Sequence, residues 1–309
     1  MADEATTIEV RPGLPGDRGR AASGRARALR RIFRTSKGLV GGTLVALVVV
    51  VGVLGPVVIP HHLATQIDVL HRLAPPSAAH PLGTDQLGRD ELVRMLLGAR
   101  TSLYVGVLAV ALSVVIGLPL GLIGGYFGGW ADLVLMRIVD AIISFPVLLL
   151  ALTISAVLGP NLTNATLSIG IVYAPYLARI ARSEVLKVSA MPYVEAARAS
   201  GAGHVWIMLR TVLPNIVPPV IVQSTISMAF AILAEAALSF LGLGTQPPTP
   251  SWGLMIQAAR DYLDIAPWTA LVPGAAIALS VLGLNMLGDA LRDALDPSFV
   301  MEQARRAEG

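Results

Sequence analysis

Along this chain, long apolar runs alternate with short intervals that hold most of its charge. Residues 39–59 are 21 positions without a charged side chain, and further apolar runs follow at 102–126, 133–158, 162–178, 216–243 and 265–288. About 20 apolar residues carry an α-helix across the hydrocarbon core of a bilayer. The pattern therefore predicts an all-α, polytopic membrane protein with six transmembrane helices. The fourth run is short before Arg179, which predicts a helix that continues beyond the membrane.

One interval is patterned rather than merely polar. Pro192 suits a first helical turn, and residues 193–200 are helix-compatible, with a small face at Ala196, Ala197 and Ala199. Gly201 and Gly203 supply backbone freedom to end that helix. From 204 to 213 apolar residues return near helical spacing (Val205, Trp206, Leu209, Leu213), and Pro214 is expected to mark a boundary before the fifth span. The interval reads as a short helix, a turn and an amphipathic helix along the membrane face. A small-residue ridge of this kind fits a groove on a partner; an interfacial anchor is the plainer alternative.

Composition narrows the class. Hydrophobic residues make up 54% of the 309 and charged residues 14%, with a mean hydropathy of +0.70, whereas soluble domains carry roughly 25% charge. With no cysteine, neither disulfides nor thiolate metal sites are available. Nine basic residues (Arg11, Arg18, Arg20, Arg25, Arg27, Arg30, Arg31, Arg34 and Lys37) precede the first run. That run is too long for a signal-peptide core and lacks a convincing cleavage site, so it is expected to stay as a span. Placing the N-terminus inside puts 18 basic residues on inner segments or near their boundary and five on outer ones, the sense of the positive-inside rule. Both termini are then cytoplasmic. Orientation accounts for the basic tail, and no nucleic-acid partner is expected.

The expected organisation is a basic tail at 1–37, disordered at its start; a first span and external segment at 38–100; a core at 101–292 with the patterned interval at 189–215; and a C-terminal tail at 293–309. Pro119, Pro146, Pro175 and Pro273 lie within spans, where neighbouring helices can satisfy the backbone groups they free. Glu235 is the carboxylate deep in a span and must face protein or water. Arg137 and Asp140 are spaced to pair on one helix face. His61, His62, His71 and His80 are too irregularly spaced to predict a metal site. Trp252 and Trp268 fit an interfacial aromatic belt.

Glu195-Ala196-Ala197, Gly201 and Leu213-Pro214 resemble the EAA coupling loop in membrane subunits of binding-protein-dependent ABC importers. The position of that motif's isoleucine is Thr211 here. His80-Pro81-Leu82-Gly83-Thr84-Asp85, Leu87-Gly88-Arg89-Asp90, Gly98 to Leu103, Glu235-Ala236 with 238–244, Pro250 to Gly253 and Gly288 to Pro297 are similar to the C-type permease of the dipeptide/oligopeptide/nickel branch. The resemblance spans about residues 39–297 and implies a type I ABC importer permease fold in a bacterial inner membrane. It implies transport rather than catalysis, with no catalytic residue, metal or cofactor in this chain. ATP and Mg would be held by two cytosolic ATPase subunits or a fused ATPase; the phosphate-binding G-x-x-x-x-G-K-[ST] motif is absent here. The other implied partners are a second homologous permease, an external solute-binding protein, the lipid bilayer and a peptide substrate. His80, Gly83, Asp85 and Trp252 become candidates for contact with the binding protein, and Glu235 for the pathway or for structure. Nickel import by the same architecture, an ATP-independent channel or secondary transporter, and a membrane anchor for a soluble enzyme are the alternatives.

Overall fold

The computed structural model describes Phe33 and residues 35–295. The expectations for most of the basic tail and for the chain beyond Leu295 lie outside the described residues. Among those described, the structure is helical with one isolated β-bridge, Thr84 to Asp90, and no strand.

Helix α1, Ser36–Val58, starts where the Thr35 hydroxyl accepts the Gly38 N–H at 3.1 Å. A cap of short 3₁₀ turns leads to α2, Glu91–Phe127, whose N-cap Asp90 accepts the Val93 N–H at 3.0 Å. At 1.5 Å per residue, α2 is about 55 Å long, so it crosses the apolar layer and stands clear of it. The run at 102–126 marked only its lipid-length part.

The expected third span is broken into α3, Gly129–Ile143, and α4, Val147–Leu158, which meet at 88°. Pro146 causes the break: it lacks an N–H and drives Phe145 away from helical backbone angles. Then α5, Leu162–Ser189, capped by Asn161, runs through Pro175 past the expected span end. After α6, Pro192–Ala199, and α7, His204–Ile207, come α8, Leu213–Phe240, α9, Trp252–Ala259, and α10, Trp268–Leu295.

Among the described residues, four helices are long and apolar enough to cross a membrane: α1, α2, the continuous rod His204–Phe240, and α10. The bent α3–α4 pair makes a fifth if it is one crossing. The count of six expected from the sequence is thus not reached among the described residues on length and apolarity; α5 is long enough but is interrupted by Asn164, Arg179, Arg182, Glu184 and Lys187.

The centre is the α2–α5 pair. Gly117, Gly121 and Gly125 lie on one face of α2, where a Cβ would strike the α5 backbone or Ala181 and Val185. Small residues at such a seam let two helices approach closely enough for backbone-to-backbone packing. Val105, Ala109, Ala151, Ile169, Val172, Ala231 and Leu238 continue the core among α2, α4, α5 and α8. Helix α10 lies against α1 and α8. The bundle therefore has two ends, one bearing the 59–90 cap and one bearing α6 and α7.

Candidate functional site

At the end opposite the cap, α6 and α7 form a knuckle. Gly201 has φ +79°, and the turn closes with Gly201 N–H donating to Arg198 O at 3.0 Å and Ala202 N–H to Ala197 O at 3.2 Å. These two bonds satisfy carbonyls left open at the end of α6, and the left-handed backbone they require explains a glycine there. Nothing lies within 4 Å of the position a Gly201 Cβ would take. The turn is open on its outer side.

Beneath the knuckle, Val194, Ile207, Met208, Val212 and Ile216 are buried with Leu122 and Tyr126 of α2 and Val185 of α5. Tyr126 Oη is 3.1 Å from His204 Nδ1, and the Arg198 guanidinium sits 5.3 Å from the Tyr126 ring centroid. One aromatic residue at the end of α2 thus touches both helices of the knuckle.

The knuckle does not end at Pro214. A π-helical turn, Met208–Val212, joins α7 to α8 with the Leu213 N–H bonded to Met208 O, so one rod runs from His204 to Phe240. The widened turn accommodates a proline that would otherwise meet the carbonyl four residues back. The boundary expected at Pro214 is absent, and the second helix does not lie separately along the membrane face. Glu195, Ala196 and Pro214 are exposed, while Ala197 and Leu213 are half-buried. Val205, Trp206 and Leu209 add apolar surface, with exposures of 63%, 55% and 52%.

Two charge pairs tie α3 to α5. Arg182 grips both carboxylate oxygens of Asp132, and Arg179 Nη2 lies 2.6 Å from Asp140 Oδ1. The expected Arg137–Asp140 pairing is replaced by this cross-helix contact, because Asp140 faces α5 rather than its own helix.

At the cap end, Asp85 accepts the Leu87 and Arg89 N–H groups at 2.8 and 3.0 Å and pairs with Arg89 Nε at 2.6 Å. Arg94, also buried, approaches Asp85 at 3.5 Å and donates to Ala64 O at 2.9 Å. His80 Nδ1 is 2.8 Å from Asp90 Oδ2. On the exposed surface of the cap, the hydrogen bond with His71 holds the Asp68 carboxyl below its usual range.

This packing corrects two expectations. Gly83, Asp85 and Trp252 are buried, so their side of the cap is internal scaffold and only the half-buried His80 retains partial access. The tryptophans do not form a lipid-facing belt: Trp252 Nε1 donates to Met95 O at 3.0 Å and Trp268 Nε1 to Thr84 O at 3.3 Å.

Glu235 is fully buried; its Oε1 accepts from Ser239 Oγ at 2.6 Å and Thr245 Oγ1 at 3.1 Å, while Oε2 has no partner. Ser239 Oγ in turn accepts the Thr245 N–H at 2.9 Å. The carboxyl thereby joins α8 to the loop leading into α9. Sequence reading missed Tyr126, His204, Arg198 and the Asp132–Arg182 pair; opposite charges just outside two apolar runs were the available signal for the pair.

Residues 117–300 match the family model described as binding-protein-dependent transport system inner membrane component. The chain is 42% identical to the dipeptide transport system permease protein DppC of Alkalihalophilus pseudofirmus over 95% of its length and 96% of that protein's. It is 46% identical to the di/tripeptide transport system permease protein DppC of Pseudomonas aeruginosa, covering 86% of this chain and 90% of that one. In fold, it is similar to a chain from inward-facing structures of the MetNI methionine ABC transporter, with a TM-score of 0.54 and 22% identity over 67% of this chain and 97% of that one.

Proposed function

The chain belongs to the binding-protein-dependent transport system inner membrane components, and from that premise we propose that it forms the translocation pathway of a peptide importer together with a second permease. It is a transport subunit, not an enzyme, and it lies in the inner membrane. Peptides are its cargo on this reading, since relatives covering most of the chain are named for dipeptide and di/tripeptide transport.

The knuckle is the docking point for the ATPase subunits, whether separate or fused, and these hold ATP and Mg. Both chain termini and the knuckle face the cytoplasm, while the cap faces the binding protein. The observation that carries the coupling role is the unbroken rod from His204 to Phe240, anchored at its base on α2 and α5. Displacing the exposed side of the knuckle displaces that rod, because Val194, Ile207 and Val212 are packed without exposed surface and cannot yield independently. ATPase closure is thereby converted into movement of a spanning helix.

The test is uptake of radiolabelled dipeptide and of radiolabelled nickel by a strain lacking this chain. Dipeptide uptake should disappear and return when the chain is restored. Loss of nickel uptake alone would refute the peptide reading.

A further inference from the structure

A groove of about 660 Å³ runs between α1 and α2 towards the cap end. Its walls are positions 49, 52, 53, 56 and 57 of α1 and 100, 103, 104, 107 and 108 of α2. Each set follows the three- and four-residue spacing of one helix face, so two stripes face each other. Met228 of α8 closes the floor, and Arg100 and His61 stand at the cap-side mouth. Apart from these two and the Tyr104 hydroxyl, the lining side chains carry no hydrogen-bonding polar group.

We propose that this groove binds an anionic phospholipid, with an acyl chain between α1 and α2 and the phosphate at Arg100. Two observations support that occupant. The nine-residue walls are about 12 Å long at 1.5 Å per residue, close to one leaflet of a hydrocarbon core of about 30 Å. Polarity also runs in the lipid's direction: the charged end lies at the cap side, with Arg100 and His61, and the apolar end at Val49 and Leu108.

Arg100 strengthens the assignment. It is exposed and makes no hydrogen bond or ion pair among the described residues, unlike the nearby Arg89 and Arg94. A guanidinium at a membrane boundary, its stem along an apolar wall, suits a phosphate by charge and by paired N–H geometry. Tyr104 is 44% exposed on the same wall, where its ring and hydroxyl fit the boundary between tails and headgroups.

The experiment uses the assembled transporter in vesicles of phosphatidylglycerol and phosphatidylcholine, followed by extraction and native mass spectrometry. Wild type should retain phosphatidylglycerol through delipidation. Arg100→Gln should lower retention at least about tenfold, the scale of one charge-assisted hydrogen bond. Val53→Phe, which fills an exposed wall position, should also lower it while leaving assembly intact. A photocrosslinker at position 53 should label phospholipid. Labelling of the second permease instead would assign the groove to protein, and unchanged lipid retention in Arg100→Gln would overturn the phosphate contact.

Discussion

Replacing Gly121 by alanine adds one methyl group at the α2–α5 seam. Its Cβ would lie 2.7 Å from Ala181 Cβ and 2.8 Å from Arg182 N, and it would also strike Ala178 O. Ordinary carbon contacts are about 3.5–4.0 Å, and these neighbours are backbone or alanine atoms that cannot rotate aside. Relief requires the helices to part by about 1 Å, loosening the contacts at Gly117 and Gly125 one turn away on either side. Overpacking of this kind costs about 1–3 kcal/mol. Gly274→Ala is the control, since a Cβ there meets nothing within 4 Å in the second turn of α10; alanine's better helix propensity makes that change neutral or stabilising by up to about 1 kcal/mol. Unfolding midpoints of both variants in the same detergent should separate, with Gly121→Ala falling and Gly274→Ala holding. Equal midpoints would refute the close-packing argument.

Glu235→Ala should destabilise by about 2–4 kcal/mol, because it opens a cavity and leaves the buried hydroxyls of Ser239 and Thr245 without their acceptor; Glu235→Gln keeps an amide oxygen for them and should lose less, which the same unfolding assay can rank. Tyr126→Phe keeps the ring beneath Arg198 but removes the hydroxyl from His204. Amide exchange across residues 192–207 should quicken by about fivefold, corresponding to about 1 kcal/mol, with little change in α10. Asp132→Asn should weaken the α3–α5 contact, and exchange of the two charges by Asp132→Arg with Arg182→Asp should restore part of the lost thermal stability.

What the sequence made legible follows from which interactions are local. Apolar runs located α1 and the start of α10 to within three residues, because lipid length is written into composition, while α10 continues about two turns past the end of its run. The turn at Gly201 was legible because a left-handed residue flanked by helix-forming segments has a strong local signature. The 88° break was half-visible in Pro146, yet spans often carry prolines without breaking, so the angle depended on surrounding packing. Pro214 misled for the same reason: a proline ends a helix unless a π turn absorbs it, and that turn involves residues with no distinguishing composition. Asp140 chose Arg179 over Arg137, a choice between partners that only the placement of α5 decides. Trp252 was assigned to the membrane boundary by type, whereas contact with Met95, far away in sequence, buried it.

The central claim is that the knuckle transmits ATPase movement to the spanning rod. Gly201→Asp tests it most directly, since aspartate enters left-handed backbone at modest cost and would project from an open turn. The measurement is ATP hydrolysis by the complex purified in mild detergent, with and without peptide-loaded binding protein. Wild type should co-purify with its ATPases and hydrolyse faster when the loaded binding protein is added, whereas Gly201→Asp should remain folded in the membrane and lose that stimulation. Full stimulation and ATPase retention in Gly201→Asp would contradict the account.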